Sequence, residues 1–154
     1  MRLTLLRSPA FPDPVADQGR HSLRFGLVVG AAVSDAIEHG YALNLPLRVV
    51  PGAGRPPLVT VDCAATPIES VKLAGDRSGD VIVPLYESRG ARASARVRAG
   101  FAVSTVTVVD LLEDELTDPA LAPTARVEDG EVVLELRPFQ VVTLRFGRSV
   151  VTGP

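Results

Sequence analysis

Residues 80–97 read DVIVPLYESRGARASARV, and this stretch decides the class of fold. Its first half, 80–87, is a short apolar run bounded by polar residues, the composition of a strand buried in a sheet. The second half, 91–97, alternates: Ala91, Ala93, Ala95 and Val97 fall on one side, Arg92 and Arg96 on the other, and Arg98 continues the polar row. A repeat of two belongs to a half-buried strand whose arginines face water. Between the halves, Arg89-Gly90 is a turn pair of the kind that closes a tight hairpin.

The same rhythm recurs outward from there. Residues 58–62, 70–74, 103–109, 131–136 and 140–146 read as strands, and Asp129-Gly130 is a second turn pair. In 103–109, Val103, Thr105, Thr107 and Val109 alternate with Ser104, Val106 and Val108. No clean polar face results, so this strand is expected to be covered on both sides or to pack against another domain. Seven short strands with no helices between them predict an all-β, immunoglobulin-like antiparallel β-sandwich of about 95 residues. The connection 111–124, with Glu113, Asp114, Glu115, Asp118 and Pro119, is expected to cross between the sheets and could carry a helical turn.

The first fifty residues are organised differently. Residues 3–6 and 21–29 read as two strands, the second placing Leu23, Phe25, Leu27 and Val29 on one face. Pro9, Pro12 and Pro14 make a shaped loop between them, since proline lacks a ladder donor. Two strands make no stable sheet alone, so this pair needs further partners. Ser34 is placed to cap one short helix, with Asp35 and Glu38 where the helix dipole favours negative charge. Ile37 and Tyr41 share its face, and Asn44-Leu45-Pro46 ends it. The punctuation PGAGRPP at 51–57 then separates a first part, 1–50, from a second, 51–154.

Composition narrows the function. Of 154 residues 46 % are hydrophobic, enough for a core, and the chain contains no Trp. Sixteen basic and 18 acidic residues in mixed order give a formal charge of −2. Phosphate recognition needs clustered cations, and Arg89, Arg92, Arg96 and Arg98 are explained as the wet side of a strand, so no nucleic-acid partner is expected. No run approaches the ~20 apolar residues of a membrane span, and the amino-terminal apolar run is too short for a signal peptide. A single cysteine, Cys63, excludes an internal disulfide framework, and its apolar neighbours make it a small filler at a strand end. A soluble, cytoplasmic chain is expected.

Residues that could carry chemistry are few. His21 and His39 have no co-ligands in HxxxH or CxxC spacing, so a zinc site is not supported. There is no GxSxG elbow and no phosphate-cradling loop. Asp110 with Glu113 could flank a sugar as acid and base, although such residues commonly solvate an acidic loop. Sugar platforms stack rings on exposed Trp or Tyr; only Tyr41 and Tyr86 are present, and Tyr86 reads as a core-edge residue. Catalysis by this chain alone is not expected.

Four stretches resemble the end of the family 38 glycoside hydrolases, the α-mannosidases: LTLLRSPAFPDPVADQGRHSLRFGLVV at 3–29, NLPLRVV at 44–50, SVKLAGDRSGDVIVPLYESRGARASARV at 70–97 and ELRPFQVVTLRF at 135–146. The most specific pieces are Asp17-Gln18-Gly19-Arg20-His21, Leu85-Tyr86-Glu87 and Arg137-Pro138-Phe139-Gln140. The resemblance implies a parent enzyme whose amino-terminal region cleaves α-mannosidic bonds with retention, using an Asp nucleophile and a divalent metal, usually zinc. None of those residues has a counterpart here. It also implies that 1–50 holds the closing strands of a larger central β-sandwich plus a linker helix, and that 51–154 is the carboxy-terminal sandwich.

The expected partners are then the remainder of the chain's own enzyme and, through it, a mannose-containing substrate. The isolated chain is expected to self-associate through the uncovered strands. Asp17, Arg20 and His21 are candidates for the substrate rim or for bracing the catalytic domain. Val28-Val29-Gly30-Ala31-Ala32 departs from the Pro-His-containing turn common in the family, so that turn's contacts are not carried over. Alternative readings are an independent carbohydrate-binding module and a generic interaction domain.

Overall fold

The computed structural model of the chain describes residues 2–118 and 123–148. It divides into two compact units, one of the residues up to Val49 and one from Val50 onward.

In the first unit the only regular element among the described residues is a helix, α1, Val33–Asn44. Its N-cap is Ala32, not Ser34, which lies inside the first turn. The Asp35 carboxylate reaches back and accepts the Ala32 N–H at 2.8 Å, one half of a capping box. At the other end the Leu45 N–H donates to the Tyr41 carbonyl at 2.8 Å, and Asn44 Nδ2 donates to the Gly40 carbonyl at 2.8 Å. Arg24 Nη1 serves the Leu43 carbonyl at 3.2 Å, another of the acceptors a helix end leaves open.

Residues 3–6 and 21–29, expected as strands in need of further partners, carry no ladder within this chain. The reason is the one that made two strands insufficient, namely that an isolated pair gains too little packing to hold its register. None of the described residues of this unit is buried. Phe25 is 64 % exposed and Val29 92 %.

The second unit is a sandwich. Its strands are β1 Val59–Val61, β2 Lys72–Leu73, β3 Val81–Tyr86, β4 Ala93–Ala99, β5 Val103–Val109, β6 Thr124–Glu128, β7 Glu131–Leu136 and β8 Val141–Arg148. They form two antiparallel sheets, ordered β1-β4-β7-β6 and β2-β3-β8-β5. Seven of the eight coincide with expected strands. The eighth, β6, lies beyond the expected connection, and β5 to β6 does cross between sheets. The described part of that connection is a turn rather than a helix, while Pro119 lies outside the described residues.

The two turn pairs have different fates. Asp129 (φ 51) and Gly130 (φ 80) join β6 to β7 with Glu128 opposite Glu131, a two-residue hairpin whose left-handed positions suit Asp-Gly. Arg89-Gly90 closes no hairpin, because β3 and β4 belong to different sheets. Local turn chemistry cannot distinguish a hairpin from a crossover corner.

Alternation builds the core. Val81, Val83, Leu85, Val142, Leu144 and Phe146 of one sheet meet Val59, Val97, Val132, Leu134 and Leu136 of the other. Phe101 adds an edge-to-face contact on Phe146 at 6.1 Å. Pro84 sits mid-sheet without harm: its carbonyl points to Glu69 N–H at 2.9 Å, on the side where β2 is too short to present an acceptor to the missing donor.

The outer faces differ. On the β1 sheet, Arg96, Arg98 and Arg126 are laced to Glu128, Glu131 and Glu135. On the other sheet Ile82, Val109 and Thr143 are buried even though they point away from the core. Two loops on this sheet are tied to it and to each other. Arg145 of β8 holds the loop before β3 through Asp76 at 2.6 Å, Asp80 at 2.8 Å and Ser78 at 3.1 Å. Glu113, from the turn after β5, accepts from Lys72 and from the Gly75 N–H at 2.7 Å. Along the outer side of β5, Val109 is buried and Thr107 half-buried, while Thr105 is exposed.

Candidate functional site

The three sequence candidates lie in the proline loop of the first unit. Asp13 opens a tight turn there: its Oδ1 accepts the Val15 N–H at 3.0 Å and its carbonyl the Ala16 N–H at 3.2 Å. Asp17 follows in the left-handed region (φ 59), which Asp tolerates better than most residues. Its Oδ2 accepts the Ser8 N–H at 3.1 Å, closing the base of the loop. His21 Nε2 donates to the Asp17 carbonyl at 2.8 Å.

Asp17 and His21 are therefore brought together through a backbone oxygen, not carboxylate to imidazole. Arg20 is exposed and stands outside this set. The arrangement stiffens a loop; it offers no paired acid and base.

A second constellation joins two stretches that the sequence leaves 52 positions apart. Glu87 directly follows β3 and is only 1 % exposed, yet both oxygens of its carboxylate have donors. Oε1 accepts the Arg89 N–H at 2.7 Å, and Oε2 accepts the Gly90 N–H at 2.8 Å and the Phe139 N–H at 2.9 Å. The Glu87 N–H in turn donates to the Gln140 carbonyl at 2.9 Å. The Phe139 N–H, with the Arg89 and Gly90 donors, holds this carboxyl below the usual carboxylate range against the opposing effect of burial. Leu85-Tyr86-Glu87 and Arg137-Pro138-Phe139-Gln140 thus form one corner.

That corner is tight. Gly90 has φ 72, and a Cβ there would lie 2.7 Å from the Phe139 ring. Phe139 itself has φ 57 and is 71 % exposed. Sequence reasoning missed Glu87 as an organiser. A lone Glu between an apolar run and a Ser-Arg-Gly turn resembles any strand end, and its distant partner is a backbone group with no side-chain signature.

The remaining candidates have structural roles. Asp110 Oδ1 accepts the Leu112 N–H at 2.8 Å and the Asp114 N–H at 3.0 Å, while Glu113 turns to Lys72, so the two do not face a common substrate position. Lys72 first, and then the Gly75 N–H, holds the Glu113 carboxyl low. Cys63 is a free, half-buried thiol, and Tyr41 and Tyr86 are half-buried. Among the described residues no group of three or more His, Cys, Asp or Glu could hold a metal. No helix among them is long and apolar enough to cross a membrane.

Comparison with known proteins gives a consistent picture. Residues 66–144, just over half of the chain, match the glycosyl hydrolases family 38 C-terminal beta sandwich domain. Alpha-mannosidase 2C1 of Homo sapiens is 32 % identical over 154 residues, covering 94 % of this chain and 14 % of the human protein. The Mus musculus alpha-mannosidase 2C1 is 31 % identical with the same coverage. An alpha-mannosidase of Saccharomyces cerevisiae is 27 % identical over 94 % of the chain and 15 % of its own length. The chain therefore spans about a seventh of these relatives.

Proposed function

Because this chain belongs to the family 38 glycosyl hydrolases, within their C-terminal β-sandwich region, we propose that it is the non-catalytic end of an α-mannosidase, buttressing the part that cleaves the α-mannosidic bond. The observation that carries this reading is the first unit. Its described residues include Phe11, Leu23, Phe25, Leu27 and Val29, yet none is buried. Apolar segments of that kind are stabilised only when something else covers them. In the proposed parent they are the closing strands of a larger sandwich, and the missing ladder forms against its sheet.

The reaction's nucleophile and its divalent metal, zinc by family resemblance, then belong to the rest of the protein. The mannose-containing substrate reaches this chain, if at all, through Asp17, Arg20 and His21 at the rim, and the protein works in the cytoplasm. An independent sugar-binding module is the weaker reading, since the chain lacks Trp and both tyrosines are half-buried.

The test compares the longer protein with this chain on an aryl α-mannoside, and titrates the chain with mannose and mannobiose. Turnover by the longer protein alone, with no sugar binding by the chain, is expected. Hydrolysis by the purified chain would end the buttress reading, and binding by the chain would favour the module. Replacing Asp17, Arg20 or His21 by Ala in the longer protein should lower turnover or stability if they serve the rim.

A further inference from the structure

We propose that Phe139 is a docking knob, its ring seated in an apolar recess on the remainder of the same protein. The position is unfavourable for phenylalanine on local grounds. A left-handed backbone favours Gly or Asn, and a bulky side chain there is a conformational outlier. Strain of that kind persists where surrounding structure enforces it, and it clusters at functional positions. Here the enforcement is visible: the buried Glu87 carboxylate fixes both the Phe139 N–H and the Gly90 N–H.

The ring's own packing offers little return, since most of Phe139 is exposed and the ring lies against bare Gly90. A knob held rigidly and left uncovered is preorganised for a partner.

The surroundings favour an apolar partner. Val141, two residues on, is exposed, and Leu111 and Leu112 are exposed on the turn that leaves β5 at the level of Thr143. Of the charged residues nearby, Asp110 and Glu113 are engaged in loop contacts and Arg137 Nε reaches Gln140 Oε1 at 3.4 Å, while Arg89 and Arg137 are exposed and would sit at the rim of such a contact. The occupant follows from length. This chain matches only 14 % of its human relative, so most of the surface available to it belongs to residues outside these 154. The inference rests on the family reading for the existence of that longer protein, but not on its activity.

The experiment places Phe139→Gly, and Phe139→Asn as a second variant at ease in the left-handed region, in this chain and in the longer protein. Thermal unfolding and limited proteolysis are followed in both. In the chain, Tm should stay within about 2 °C of the parent sequence or rise, because strain is relieved and little burial is lost. In the longer protein the sandwich should unfold earlier than the remainder, with cleavage between them at least tenfold faster.

An unchanged longer protein would overturn the proposal. So would an equal loss of Tm in the chain alone, which would make Phe139 internal packing. Aryl α-mannoside turnover by the unmutated longer protein reports separately on the family activity.

Discussion

At the scale of single residues, Glu87 has the largest consequence. Replacing it with Gln should lower the denaturation midpoint at pH 7, because a carboxamide cannot accept on both sides and must turn donors toward the donors of Arg89, Gly90 or Phe139. The pH dependence has a definite sign. Those donors depress the folded carboxyl, so its stabilisation is complete above the unfolded value, about 4.3, and disappears as pH falls through the folded one. Urea midpoints measured from pH 7 down to pH 3 should fall for the unmutated chain and change less for Glu87→Gln. Parallel profiles would show that the charge is unused. None of this was legible in the sequence, where a buried carboxylate and a solvated one are the same letter. Asp17 illustrates the reverse: the turn it occupies was readable from prolines, but its carbonyl link to His21 was not.

At the scale of elements, alternation predicted well and connectivity predicted poorly. Strands 103–109 and 131–136 were readable to the residue, because apolar periodicity marks a strand wherever it lies. β6 was not legible although Asp129-Gly130 announced a hairpin, because Ala125 and Val127 alone give too short an apolar alternation to mark a strand. The crossover at Arg89-Gly90 was misread because sheet membership is decided by distant partners. The loop between β2 and β3 is gripped by Arg145, and Asp76 reports on that grip. Donors from Ser78, and then from Arg145, bring its carboxyl down to about 2 from 3.8. Arg145→Gln should return it part of the way, with Ser78 retaining the rest. Carboxyl titration by NMR would show it, and an unmoved Asp76 would remove Arg145 from the account.

At the scale of the whole molecule, the chain joins a unit with its own core to one without. Leu134 is fully buried, so Leu134→Ala should lower stability by about 2–5 kcal/mol in denaturant titration. Phe25→Ser, in the uncovered unit, should change the isolated chain by no more than about 0.5 kcal/mol. The same Phe25→Ser should reduce the association expected of the isolated chain at high concentration; a clean monomer by light scattering would contradict the idea that these faces seek cover. The outer lattice of the β1 sheet carries a different lesson. Its three guanidiniums already have carboxylate companions, so a polyanion arriving there would have to evict a resident before gaining anything.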